Sequence, residues 1–137
     1  MNKIVTIAKK VMLVIACLIP GAIVIGLIES INAKIYPQPA GVSFETYLNS
    51  LPMMAFWIVL LSMVLGTMVS SFVISWIDKP NAKQNAWIIG VLFLIIGCIN
   101  LASFPHPTWF TIVNVLVFIP AALFGSNLAM RWSKTTV

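Results

Sequence analysis

Four polar residues stand where chemistry inside a membrane would need them. Glu29 closes the first long apolar run, Asn100 lies near the end of the third, His106 sits between Pro105 and Pro107, and Asn114 lies one and a half turns into the fourth. Polar groups in lipid are costly, so each needs a partner or a purpose. Two readings compete. In the first, the four converge on one polar site, where Glu29 binds or relays a proton or a cation beside neutral Asn100 and Asn114. In the second they act separately: Glu29 is the wet end of a helix, the two asparagines hydrogen-bond between helices, and His106 is an exposed turn residue. The second is preferred. With three acidic residues and one histidine in 137, no nucleophile–base pair, phosphate loop or paired carboxylate appears, so no enzyme is expected. A single His without a second His, Cys or carboxylate at ligand spacing predicts no metal site, and no cofactor motif is present.

The elements that would position these residues are set by hydropathy. The chain is 61% hydrophobic and 8% charged, far from the ~25% charged residues of a soluble domain. A soluble globule this small has too much surface to hide so much apolar material. Four runs of about 20 apolar residues, the length that crosses a hydrocarbon core, cover about 11–28, 52–77, 86–102 and 109–130. None contains Lys, Arg or Asp. Backbone amides in lipid must be satisfied within their own segment, so the runs are predicted to be helices. The expected fold is an all-α, single-domain membrane bundle of four antiparallel spans. Its partner is the lipid bilayer, with a second copy or another membrane protein as a further candidate. Net charge is +5, but the basic residues form no stripe, so nucleic acid is not expected.

Orientation follows from those basic residues. Lys3, Lys9, Lys10, Lys79, Lys83, Arg131 and Lys134 fall on one side, and Lys34 alone on the other. The positive-inside bias places both termini in the cytoplasm and the Ser30–Leu51 segment outside an inner (plasma) membrane. Trp76, Trp87 and Trp132 mark the inner ends and Trp109 an outer one, as amphipathic rings favour the interface. Val14-Ile15-Ala16-Cys17 has the form of a lipoprotein cleavage site. Only six residues separate Lys10 from Cys17, however, and the apolar run continues beyond it, so processing is not expected. Cys17 and Cys98 are predicted to be buried, apolar-like thiols.

Packing is also readable. Ser62, Gly66 and Ser70 recur every four residues in the second run, and Ala121, Gly125 and Ala129 in the fourth. Such stripes let helix backbones approach closely, within the chain or between subunits. Thr67, Ser71 and Ser75 are expected to bond to carbonyls of their own helix. Pro20 and Pro120 fall mid-run. Ser43 can cap a short helix through Leu51.

Leu65-Gly66-Thr67, Ile89-Gly90 with Gly97 and Asn100, Pro105-x-Pro107-x-Trp109-Phe110, and Ile119-Pro120-x-Ala122-x-x-Gly125 resemble the pattern of a group of small, uncharacterised bacterial four-helix membrane proteins. The resemblance covers about 52–130, and its most distinctive part is the Pro-x-Pro-x-Trp-Phe turn. It implies a fold and no activity, and no functional residue carries over from it. The expected role is therefore structural or accessory, exerted through helix contacts. An oligomeric small-solute or proton-coupled transporter with an outward-facing polar site is the alternative.

Overall fold

The computed structural model describes residues 2–135, and all its regular structure is helical among those residues. Among the described residues, four helices are long and apolar enough to cross a membrane. They are α1 (Lys3–Ile35), α3 (Met53–Ile77), α4 (Ala82–Ser103) and α5 (Thr108–Thr135). A short α2 (Phe44–Ser50) lies between α1 and α3, and a 3-10 turn (Lys79–Asn81) leads into α4. Ser43 caps α2 by accepting from the Thr46 amide, so the helix expected there forms.

α1 differs from expectation in length. Its 33 residues span about 50 Å at 1.5 Å per residue, well beyond a ~30 Å hydrocarbon core. Hydropathy falls at Lys9, Lys10 and Glu29, but helical hydrogen bonding continues through all three. Ser30–Ile35 is therefore the last turn of α1 and not the start of a loop. Pro20 and Pro120 sit inside helices that run on past them.

α3 is the central helix and packs against α1, α4 and α5, while α1 makes little contact with α4. Both small-residue stripes are used within the chain. Ser62, Gly66 and Ser70 are buried, and Gly66 meets Gly21 of α1 so closely that a Cβ at Gly66 would lie 2.7 Å from the Gly21 carbonyl oxygen. Ala121 and Ala129 are buried, and a Cβ at Gly125 would come within 2.9 Å of the Met68 Cα on α3. Close backbones bring hydroxyls within reach of neighbouring helices. Ser71 donates to the Ala122 carbonyl at 2.6 Å, Ser70 to the Leu18 carbonyl at 3.4 Å, and Ser75 to the Ser126 hydroxyl at 2.8 Å. Only Thr67 behaves as expected, bonding to Met63 of its own helix at 2.7 Å. For Ser71 and Ser75 the small-residue crossing offers an oxygen on another helix, and that partner displaces the local one.

An apolar layer of Val14, Cys17, Ile74, Ile89, Phe93 and Phe118 fills the middle of the bundle. Cys17 belongs to it, whereas Cys98 is exposed on α4. The burial expected for Cys98 is thus corrected, because residues in an apolar span can face lipid as readily as core. At one end of the bundle Asp78 accepts from Asn81 and from Asn85, each at 2.9 Å, and fastens the turn from α3 into α4. Asn85 leads among the causes that hold the Asp78 carboxyl below the ordinary carboxylate range, with Asn81 and Lys10 adding to it.

Candidate functional site

The opposite end of the bundle holds the site. α1 crosses α3 at Gly21 and Gly66 but leaves a gap beside α4, because little packs between α1 and α4. Two adjoining cavities occupy that gap, and Glu29, Met63 and Asn100 line both. The deeper one, about 360 Å³, is walled by apolar residues including Leu18, Ile25, Phe93, Ile96 and Phe118. Small residues hollow it out: Ala22 and Gly26 on α1 and Gly97 on α4. The upper one, about 220 Å³, holds Glu29, Asn32, Tyr47, Asn100 and His106 among the rings of Phe44, Phe56, Phe104 and Phe110.

α2 roofs the upper chamber. The Tyr47 hydroxyl donates to the Tyr36 carbonyl at the end of α1. On the other side the Phe44 ring meets Phe104, at the end of α4, edge-on with centroids 5.0 Å apart. The short helix therefore bridges the two elements that the gap separates and lies over the top of the cleft, which opens sideways between α1 and α4.

Each polar residue in the chamber has its own setting. Glu29 is half-buried, with the Ser62 hydroxyl of α3 beside its carboxylate. That hydroxyl has one proton, and it is directed to the Val59 carbonyl at 2.7 Å. Asn32, one turn after Glu29 and 8% exposed, donates to the Ala55 carbonyl at 3.2 Å, while its Oδ1 has no donor. The His106 Nδ1 lies 2.7 Å from the Phe104 carbonyl. A carbonyl can only accept, so Nδ1 carries the proton. The His106 ring stacks on Phe110 at 5.3 Å.

Three of the four expected polar residues, Glu29, Asn100 and His106, therefore share one chamber. Asn114 does not line it. It is fully buried on α5, and among the described residues neither its Oδ1 nor its Nδ2 has a hydrogen-bond partner. Asn100 also departs from the interhelical role expected of it: it is exposed at the cleft. His106 is half-buried and ring-packed, not a free turn residue. Sequence reasoning missed Asn32 and Tyr47. The signal for Asn32 was present, since a residue three places after Glu29 shares its helix face.

Comparisons with protein-family models, with curated proteins and with solved structures found no match. Four membrane-length helices define the class of the molecule as a multi-pass membrane protein.

Proposed function

We propose that this chain is an accessory protein of the bacterial inner membrane that works by binding a bilayer-resident molecule laterally, between α1 and α4. Both termini lie in the cytoplasm and successive spans run antiparallel, a reading supported by the seven-to-one distribution of basic residues. The observation that carries the functional reading is the cleft itself. The small-residue stripes are spent on contacts inside the chain, so they offer no surface to a partner. What remains is a sideways-opening, mostly apolar gap of about 360 Å³, within the ~300–1,000 Å³ range of small-molecule sites, with a smaller polar head chamber above it.

A photoactivatable side chain tests this reading. Ile96 borders the cleft, and Leu116 is exposed on α5 away from it. Irradiation in membranes should give a discrete, saturable adduct from position 96 and only diffuse lipid labelling from position 116. Identical labelling at both positions would remove the cleft from consideration.

A second reading, transport through an oligomer, draws support from a carboxylate inside a membrane-length helix, Glu29 on α1. Against it, Ile74, Ile89, Phe93 and Phe118 separate the Glu29 chamber from the Ser75–Ser126 hydroxyls. A proton- or cation-dependent flux in liposomes that Glu29→Gln abolishes would favour transport over lateral binding.

A further inference from the structure

The shape and the unmet hydrogen bonds of the cleft restrict its occupant. Resting on the lateral-binding reading, we infer that it holds a lipid of the surrounding leaflet bearing a primary ammonium head. The head sits in the chamber under α2, and one hydrocarbon chain lies between α1 and α4.

The α2 bridge argues against a partner helix. A membrane-spanning helix is about 10–12 Å across with its side chains and must continue beyond the bilayer at both ends. The α2 bridge, pinned to Tyr36 on one side and Phe104 on the other, blocks that path. A molecule of finite length with a head at one end meets no such obstacle. The sideways opening also lets a second acyl chain remain in bulk lipid.

The lining then selects the head. Among the described residues the chamber contains Glu29 and no Lys or Arg, so its formal charge favours a cation, and the phosphate that joins the ammonium to the glycerol turns out through the sideways opening between the two cavities. One group on α1 seeks donors. The Glu29 carboxylate has room for about four hydrogen bonds and competes with Val59 for one Ser62 proton. A primary ammonium, with three N–H groups, can supply them. Aromatic rings at Phe44, Phe56 and Phe110 add faces that attract cations. A trimethylated ammonium would keep the charge and the ring contacts but could not donate to Glu29.

Phosphatidylethanolamine and phosphatidylcholine of the same acyl chains differ in this respect and test the inference. Purified protein is mixed with equal amounts of the two in micelles, and retained lipid is counted by native mass spectrometry. The expected result is a preference of about tenfold for the ethanolamine lipid, the scale of one charge-assisted hydrogen bond. Glu29→Gln should bring the two lipids to near parity while total retention persists. Gly26→Leu should lower retention of both, since Gly26 lines the chain-holding cavity and a Cβ there meets nothing within 4 Å. Because its Cβ enters open space, Gly26→Leu keeps the test valid should Glu29→Gln fold poorly. Parity in the unmodified protein, with retention still lost in Gly26→Leu, overturns the ammonium assignment and leaves lateral binding standing. Retention unaffected by Gly26→Leu overturns both.

Discussion

Two glycines on the same helix should respond in opposite senses to the same substitution. A Cβ at Gly21 would overlap the Gly66 carbonyl oxygen and the Ser70 Oγ, and would lie 3.0 Å from the Gly66 carbonyl carbon. Two of these atoms belong to backbone, so α1 and α3 must separate. Inserting a methyl group into such packing costs about 1–3 kcal/mol. Separation also stretches the bonds from Ser70 to Leu18 and from Asn32 to Ala55, each worth about 0.6 kcal/mol in a membrane setting. Alanine's better helix propensity returns roughly 0.5–1 kcal/mol, so Gly21→Ala should lose about 1–4 kcal/mol net. At Gly26 a Cβ meets nothing within 4 Å. Only the propensity gain acts there, and Gly26→Ala should be neutral or more stable by up to about 1 kcal/mol. Equilibrium unfolding in mixed micelles, followed by tryptophan fluorescence, measures both. Equal effects of the two substitutions would refute the close α1–α3 crossing on which the cleft depends.

Further outcomes follow from other parts of the molecule. Asn114 buries a carboxamide with no partner on either polar atom, so Asn114→Leu should stabilise the bundle by about 1–3 kcal/mol, the penalty of unsatisfied polar burial; a loss of that size in the same unfolding assay would show that Asn114 has a partner. Asp78, bonded by Asn85 and Asn81, has its carboxyl lowered in the folded state. Its contribution is therefore complete above the unfolded value of about 3.9 and is lost as pH falls through the lower folded value. Unfolding between pH 2.5 and 7 should show this acid loss, and Asp78→Asn should flatten it. A reporter joined after Val137 should be active only in the cytoplasm, and periplasmic activity would reverse the orientation.

Much of the architecture was legible because hydropathy and spacing are local properties. Four charge-free runs of bilayer length mark the long helices, and Ser43 marks the start of α2. Gly66 and Gly125 fall at close crossings, as their four-residue spacing suggests. What escaped depends on direction around a helix axis. Asn100 and Asn114 look equivalent along the chain, yet one opens on the cleft and the other is sealed in the core. Ser71 and Ser75 bond across helices because of what the fold brings near them. Gly21 has no stripe of its own and becomes visible only once Gly66 lies against it. Charged residues also misplace helix ends: Lys9, Lys10 and Glu29 bound the apolar run but do not interrupt the backbone hydrogen bonding of α1.

The central claim is that the space between α1 and α4 is a binding cleft. A structure of the protein in nanodiscs containing phosphatidylethanolamine tests it most directly. Elongated density should lie between Ile25 and Ile96, ending beside Glu29 and Asn32 beneath α2. Direct packing of α1 on α4, with no space between Gly26 and Gly97, would contradict it.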